Sequence, residues 1–184
     1  MRIIAGTYAS RKINAPKGKQ TRPTLDKVRE AVFSSAGGFF DGGIFLDLYA
    51  GSGANGLEAL SRGCDKAVFV DVSKAAVSVI RDNIRTLGAE ENCRVLPVSD
   101  RKALQILQEE GAVFDYIYMD PPYEKHHNEE ILSFIDENGM LNGGGLIMVE
   151  SLKEDSFPDH YHTFFKKKEA VYGISRITYY KSKE

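Results

Sequence analysis

Short apolar runs alternate with amphipathic stretches along most of this chain. The apolar runs, which predict buried parallel strands, are residues 44–48, 67–71, 94–98, 116–120 and 145–150. The amphipathic stretches, which predict helices, are residues 55–62, 74–87, 100–110 and 128–138. Two further β-like runs, 161–170 and 174–180, predict a closing antiparallel hairpin. The alternation predicts an α/β, Rossmann-like fold: a mostly parallel twisted sheet with helices on both faces.

The N-terminal segment departs from this alternation. Residues 2–4 and 11–14 are short β-like pieces, and a helix is predicted over 25–35. Three polar residues stand where helix N-caps belong: Thr24, Ser73 and Asp100. The predicted organisation is a single domain over 1–184, made of an N-terminal extension over 1–40 and a core over 41–184.

The composition is that of an ordinary globular protein, and we expect it to be cytoplasmic. Hydrophobic residues make up 42% of the chain and charged residues 27%, which is ample for a core. No apolar run approaches the roughly 18 residues of a membrane span, and the first residues lack a signal-peptide pattern. Cys64 and Cys93 stand far apart, so we expect neither a disulfide nor a metal site. We expect a monomer in a reducing cytosol.

The distribution of charge matters more than its total. The formal net charge is −2, yet residues 1–29 contain eight basic side chains and one acidic one. A basic arm on an acidic body can bind phosphates locally. It can equally be a flexible, solvated N-terminus, and charge alone does not separate the two interpretations.

A glycine-rich segment, Gly51-Ser52-Gly53-Ala54-Asn55-Gly56, follows a predicted strand and opens a predicted helix. Glycine permits a tight turn and a close approach of the backbone to a ligand. Asp71 closes the next strand, where a ribose hydroxyl would need an acceptor. These features are compatible with a dinucleotide, with S-adenosylmethionine, or with no ligand and glycines that serve helix packing alone.

Asp47, just before the glycine-rich segment, favours S-adenosylmethionine over a dinucleotide. A carboxylate there would repel a pyrophosphate, but it suits a ligand that carries an ammonium and a sulfonium group. The same aspartate can also be buried and accept hydrogen bonds from loop amides. The two roles are compatible.

A second motif, Asp120-Pro121-Pro122-Tyr123, stands at the carboxyl end of a predicted central strand. Open α/β sheets bind their ligands at this edge. The prolines remove two amide donors, and the residue before each is held extended. The turn therefore presents the Asp120 carboxylate and the Pro121 carbonyl as acceptors and the Tyr123 ring for stacking. On its own, the motif is equally compatible with a rigid strand exit.

This combination suits methylation of an amino group on a planar ring, whose nitrogen is a poor nucleophile. Two acceptors that hold both N–H hydrogens favour a pyramidal nitrogen with its lone pair aimed at the methyl donor. A base within a helix must be flipped out or already unpaired before it can stack on an aromatic ring. Together with the glycine-rich segment, the motif predicts an amino methyltransferase.

The chain resembles the RsmD-type methyltransferases, which methylate guanine N2 in 16S rRNA. The resemblance covers the cofactor motif over 47–63 and the chain from Asp120 to its end. The most specific part lies near the N-terminus, in residues 2–6, 11–12, 21–24 and 28–33. It implies a class I methyltransferase fold, S-adenosylmethionine as cofactor, and an N-terminal β-hairpin that contacts RNA. The implied partner is 16S rRNA within the small ribosomal subunit or its assembly intermediate.

The resemblance also implies site residues. Those that bind the cofactor are Asp47, Tyr49, Gly51, Gly53, Asn55, Asp71 (ribose), Val72 and Asp100 (adenine amino group). Those that hold and stack the target guanine are Asp120, Pro121, Pro122 and Tyr123. Those that contact RNA are Arg2, Arg11, Lys12 and Arg22. Two positions depart from the family pattern: Asp71 is shorter than the usual glutamate, and Asn55 replaces a common apolar residue.

Other functions share part of this evidence. Adenine N6 in DNA or RNA and the amide of a protein glutamine need the same turn chemistry. However, 184 residues leave little room for a DNA target-recognition domain, and glutamine methylators generally carry asparagine at the position of Asp120. An NAD-dependent oxidoreductase would leave Asp47 and the Asp-Pro-Pro-Tyr motif unexplained. An inactive RNA-binding module is compatible with the sequence.

Overall fold

A computed structural model describes residues 1–18, 23–122 and 125–184 of the chain. The chain forms two compact units, Met1–Asp100 and Arg101–Glu184. Among the described residues, no helix combines the length and the apolar character that a membrane crossing requires.

The first unit contains a parallel sheet segment with the strand order β3-β2-β1. Its elements in chain order are α1 (Pro23–Ser35), β1 (Ile44–Leu48), α2 (Ala54–Ser61), β2 (Lys66–Val70), α3 (Lys74–Leu87), a 3-10 turn (Glu90–Asn92) and β3 (Cys93–Leu96). Four of the five residues of β1 and of β2 are buried in succession, as strands covered on both faces require. The predicted parallel strands and helices of this half of the chain are confirmed.

Helix α3 shows how the local sequence sets the bounds of an element. The Ser73 side chain accepts a hydrogen bond from the Ala76 amide at 3.3 Å, which confirms the predicted N-cap. The helix ends at Gly88, which has a left-handed φ of 66°. The apolar face predicted from the 3.6-residue period is buried, and it comprises Ala76, Val77, Ile80, Ile84 and Leu87.

The other two predicted caps are wrong by one or two positions. Helix α1 begins at Pro23, so Thr24 is its second residue; proline is favoured at the first helical position because its missing N–H is not needed there. Helix α4 (Asp100–Glu109) begins at Asp100 itself. Asp100 is therefore a residue of the first turn, where a carboxylate is favoured by the helix dipole.

The second unit contains the rest of α4, one further helix and the strands that end in an antiparallel hairpin. Its elements are β4 (Phe114–Met119), α5 (Lys125–Glu137), β5 (Leu141–Leu152), β6 (Phe164–Tyr172) and β7 (Ser175–Ser182). Strands β4 and β5 are parallel, whereas β7 runs antiparallel to both β5 and β6. The predicted C-terminal hairpin is confirmed.

Strand β5 begins four residues earlier than its apolar pattern predicts. The four extra residues include Gly143 and Gly144, which carry no strand signal. The register against β4 shifts between Phe114 and Tyr116, so the extra residues bulge out of the ladder. The bulge leaves the regular, apolar part of the strand where the pattern places it.

The interior of the C-terminal hairpin is aromatic. Phe164 and Tyr180 are fully buried, and with Tyr161 they form ring pairs whose centroids are 4.8 to 5.5 Å apart. The Tyr180 hydroxyl donates to the Pro158 carbonyl at 2.7 Å. Phe164 and Tyr180 therefore belong to the core of the second unit.

Both cysteines are free thiols. Cys64 is buried, and burial raises the pKa of the Cys93 thiol to about 12, with a further contribution from the charge of Glu90. Because the thiolate is the reactive form, the raised pKa lowers the reactivity of Cys93 at neutral pH. Cys64 is thus a packing residue of the core.

The N-terminal extension is closed by an isolated antiparallel bridge between Arg2 and Lys12. The Ile3 amide donates to the Arg11 carbonyl at 3.0 Å, and the Ser10 amide donates to the Ile3 carbonyl at 2.8 Å. The predicted hairpin therefore exists as a single bridge with a wide turn, rather than as two strands.

Candidate functional site

The glycine-rich loop joins β1 to α2 in the first unit. Asp47 is buried at 1% exposure, and its carboxylate accepts a hydrogen bond from the Gly56 amide in the first turn of α2 at 2.9 Å. Gly51 and Gly53 have φ values of 60° and 81°, which other residues rarely adopt. A buried carboxylate at the start of a helix thus fixes the loop, as predicted for one of the two roles of Asp47.

The third glycine of the motif is required by packing. A Cβ at Gly56 would stand 2.4 Å from the Phe69 ring of β2. By contrast, a Cβ at Gly51 would meet no heavy atom within 4 Å. The loop therefore packs tightly on its helix side and has open space beside Gly51.

Asp71 follows β2 and holds the same loop from the other side. Its two carboxylate oxygens accept from the Gly51 and Ser73 amides, both at 2.9 Å. Val72, the next residue, is 67% exposed, which is unusual for a large apolar side chain. The pair presents an oriented carboxylate and an uncovered apolar surface side by side.

A hydrogen bond joins Tyr49, which follows β1, to Asp100, the first residue of α4. The Tyr49 hydroxyl donates to the Asp100 carboxylate at 2.6 Å, and Asp100 is only 8% exposed. Tyr49 adopts a left-handed φ of 73°, a strained conformation for a bulky residue. Sequence reasoning singled out both residues but not this contact, because they are 51 positions apart.

Asn55 is also among the residues that the sequence predicts to bind the cofactor. It is the second residue of α2 and is half-buried. Each of the three predicted acids is held by described hydrogen bonds, Asp47 with Gly56, Asp71 with Gly51 and Ser73, and Asp100 with Tyr49, and Asn55 takes no described part in these contacts.

Asn83 is a site-supporting residue that the sequence analysis missed. It is buried at 1% exposure on α3, and its amide donates to the carbonyls of Asn14 and Ser52, both at 2.9 Å. Its side-chain oxygen accepts from the Asn14 amide at 2.8 Å. Asn83 therefore ties the N-terminal extension to the glycine-rich loop. The only signal in the sequence is an asparagine between apolar positions of an amphipathic helix.

The Asp-Pro-Pro-Tyr motif lies in the second unit. Strand β4 ends at Met119, so Asp120 and the prolines begin the exit from the strand, as predicted. Asp120 and Pro122 are exposed and Pro121 is half-buried. Tyr123 falls outside the described residues. On the neighbouring strand β5, Glu150 accepts a hydrogen bond from the Tyr118 hydroxyl at 2.9 Å, a contact that the sequence did not suggest.

The predicted RNA-contacting residues are exposed where they are described. Arg2 donates to the Ser10 carbonyl at 3.0 Å, and Arg11 donates to the Thr86 carbonyl of α3 at 2.6 Å. Lys12 is also exposed, while Arg22 falls outside the described residues. Arg2 and Arg11 therefore help to hold the extension in place as well as presenting charge.

One of the basic residues in the N-terminal segment 1–29 is buried. Arg29 is 6% exposed and pairs with Asp26 at 3.0 Å and Glu58 at 3.2 Å. Its charge is used inside the fold, so the basic arm offers less charge to a phosphate backbone than residue counting predicts. Helix periodicity gives the signal, because Arg29 falls on the buried face between Val28 and Val32.

Comparisons with known proteins extend over nearly the whole chain. A family model described as conserved hypothetical protein 95 matches residues 1–181. YlbH of Bacillus subtilis, provisionally named as an rRNA methyltransferase, is 36% identical over 183 residues, with all of both chains covered. The ribosomal RNA small subunit methyltransferase D of Escherichia coli is 35% identical over 158 residues, which span 86% of this chain and 78% of that protein.

A solved structure gives the same result for the fold. YhhF of Escherichia coli, provisionally named as a methyltransferase, superposes with a TM-score of 0.83 at 32% identity, covering 99% of this chain and 97% of that one. The Rossmann-like methyltransferase fold predicted from the sequence is confirmed.

Proposed function

Because the chain belongs to the conserved hypothetical protein 95 family, to which the RsmD-type rRNA methyltransferases belong, we propose that it methylates the N2 amino group of a guanine in 16S rRNA, with S-adenosylmethionine as the methyl donor. That the chain is a methyltransferase that acts on rRNA follows from its relatives. The observation that carries the proposal on guanine N2 is the pair of motifs: a glycine-rich loop held by Asp47 and Asp71, and an Asp-Pro-Pro turn at a strand end. We place the enzyme in the cytoplasm, as a monomer in one functional domain.

The residues of the first unit fit S-adenosylmethionine. Asp47 supplies a buried negative charge next to the loop, and the open space beside Gly51 admits a ligand. The oriented Asp71 carboxylate suits ribose hydroxyls, and the exposed Val72 suits the face of an adenine ring. The Asp100 carboxylate, held by Tyr49, suits an adenine amino group. Three carboxylates would oppose a pyrophosphate, which speaks against a dinucleotide.

The bound cofactor supplies an electrophilic methyl group on a sulfonium. In our proposal, the Asp120 carboxylate and the Pro121 carbonyl accept the two N2 hydrogens and hold the nitrogen pyramidal. Held in this way, the nitrogen would aim its lone pair at the methyl group that the bound cofactor would supply. Asp120 also stabilises the positive charge that develops on the nitrogen, which then loses one proton to water. Tyr123 would stack on the base.

The direct test is methyl transfer from labelled S-adenosylmethionine to small ribosomal subunits that lack their native guanine-N2 marks. Nucleoside mass spectrometry of the product should show N2-methylguanosine at a single site. N6-methyladenosine would keep the fold and mechanism but refute the substrate. No transfer to subunits or to naked rRNA, despite measured cofactor binding, would point to a protein or DNA substrate, or to an inactive RNA-binding module.

Tyr49→Phe should weaken binding of S-adenosylhomocysteine by about 3- to 10-fold, because the Asp100 carboxylate loses a charge-assisted hydrogen bond that orients it. Isothermal titration calorimetry measures the change. Tyr172→Phe, in the second unit at the end of β6, is the matched control and should bind normally. Equal affinity for the Tyr49 variant and the wild type would remove the hydroxyl from cofactor binding.

Lys12→Glu should weaken RNA binding and flatten its dependence on salt. For each phosphate that the protein no longer neutralises, the slope of log K against log salt concentration becomes shallower by about 0.7 to 0.9. Lys12 is chosen because Arg2 and Arg11 also bond to backbone carbonyls. Lys167→Glu, an equal charge change on the exposed part of β6, is the control. An unchanged salt slope for Lys12→Glu would make the arm a solvated feature only.

A further inference from the structure

We propose that Glu150 is a specificity-determining residue, which accepts a hydrogen bond from N1–H of the target guanine and so discriminates against adenine. The inference rests on the proposed function, in which Asp120 and Pro121 hold the N2 amino group. It assigns a role to a carboxylate that neither of the two motifs contains.

The sheet register places Glu150 beside the Asp-Pro-Pro turn. Strands β4 and β5 are parallel, and the last pair in their register is Met119 with Val149. The next residue on each strand is Asp120 on one side and Glu150 on the other. Asp120 and Glu150 therefore stand at neighbouring positions where two adjacent strands end or continue past their shared register. This is the edge at which open α/β sheets bind their ligands.

The orientation of the Glu150 side chain follows from its contact with Tyr118. The Tyr118 hydroxyl donates to Glu150 Oε2 at 2.9 Å. Successive side chains of a strand alternate between faces, and the residue before a proline stays extended, so Tyr118 and Asp120 leave the backbone on one side. The Glu150 carboxylate thus lies on the Asp120 side of the sheet. It is half-exposed, and a carboxylate can accept about four hydrogen bonds, of which Tyr118 provides one.

The chemistry of the base supplies the reason for a second acceptor. Guanine carries N1–H next to its N2 amino group, so a base gripped through N2 brings this donor to the same edge of the site. Burying N1–H without an acceptor would cost binding energy. In adenine the N1 atom is itself an acceptor, and a carboxylate facing it would repel its lone pair. A site that hydrogen-bonds a donor rejects an analogue that lacks it far better than a site that selects by size.

A merely structural role for Glu150, as the acceptor that anchors Tyr118, makes a different prediction. In that case Tyr118→Phe and Glu150→Gln should affect activity alike, and neither should alter the choice of base. Tyr118→Phe keeps the carboxylate and removes only its neighbour. The two variants together separate recognition from support.

The test uses the full-length enzyme and two RNA substrates, one with guanosine and one with 2-aminopurine riboside at the target position. The analogue keeps the amino group but has no N1–H. Wild type should prefer guanosine in kcat/KM by roughly 10- to 100-fold. Glu150→Gln replaces the charged acceptor by a neutral amide that can also donate to the N1 atom of the analogue, so kcat/KM should fall for guanosine and rise for the analogue, and the preference should fall toward one. Glu154→Gln, an exposed carboxylate just after β5, should behave as wild type.

Three results would contradict the proposal in distinguishable ways. If Glu150→Gln keeps the full preference for guanosine, or if Tyr118→Phe abolishes it equally, Glu150 is not the recognition residue. If wild type methylates neither RNA, the proposed function fails and this inference fails with it. Unchanged binding of S-adenosylhomocysteine and an unchanged melting temperature for Glu150→Gln show that a lower preference does not come from misfolding.

Discussion

Asp120→Ala is expected to lower kcat for methyl transfer by about 100- to 1000-fold, the usual effect of removing one preorganised group that stabilises charge in a transition state. The affinity for S-adenosylhomocysteine should stay within about twofold of the wild-type value. Asp120 is not among the residues proposed to bind it, which are Asp47, the glycine-rich loop, Asp71 and Asp100. Single-turnover kinetics and calorimetry measure the two quantities separately. The expected pattern is a chemical defect in an enzyme that still binds its cofactor.

Asp115→Asn is the matched control for this experiment. Asp115 lies on the same strand, β4, but near its start, where it accepts a hydrogen bond from the Asn142 side chain at 3.1 Å. Removing this charge should leave kcat close to that of the wild type. If Asp120→Ala retained full turnover, Asp120 would have no part in the chemistry, and the mechanism would have to rest on Pro121 and Tyr123 alone.

Glu58→Gln is expected to lower the free energy of unfolding by about 3–5 kcal/mol, the usual cost of breaking a buried ion pair. Glu58 is fully buried and binds Arg62 at 2.8 Å and Arg29 at 3.2 Å. It also accepts hydrogen bonds from the Ile4 and Ala5 amides at 2.9 and 3.2 Å. Glutamine keeps the shape of the side chain, but it leaves the buried Arg62 guanidinium without its carboxylate and Arg29 with Asp26 alone.

Chemical denaturation of Glu58→Gln and of Glu30→Gln tests this expectation. Glu30 is exposed on α1, so its substitution should change the free energy of unfolding by less than about 0.5 kcal/mol. Hydrogen exchange at the Ile4 and Ala5 amides should accelerate only in the Glu58 variant. Equal stability of the two variants would show that the arginines find other partners when the carboxylate is removed.

The sequence predicted those features that depend on local patterns. Apolar periods located β1 and α3, the two β-like runs 161–170 and 174–180 located the hairpin, and glycine spacing located the loop. These signals are local because burial on one face of a helix or both faces of a strand follows from neighbouring residues. Bounds were less accurate at α1 and β5, where a proline and a glycine-rich bulge replace the usual signals.

The polar network within the fold was not predictable in the same way. Ile4 and Glu58 are 54 residues apart, and Asn14 and Asn83 are 69 residues apart. A polar residue in the sequence shows a need for a partner but not its identity, since the partner is set by the packing of distant segments. For the same reason Arg29 reads as part of a basic arm, and Glu150 reads as the polar end of a strand.

The way in which the N-terminal extension is attached limits the sequence changes that this protein can accept. A chain that began after residue 18 would leave the Glu58 carboxylate without the Ile4 and Ala5 amides. It would also leave the Asn83 side chain without Asn14. A Cβ at Gly6 would stand 1.8 Å from the Ser61 carbonyl oxygen, so even Gly6→Ala would disturb the contact between the extension and α2. The extension is therefore an integral part of one cooperative folding unit. Unlike an appended module, it cannot be moved to another protein without the matching surface of α2 and α3.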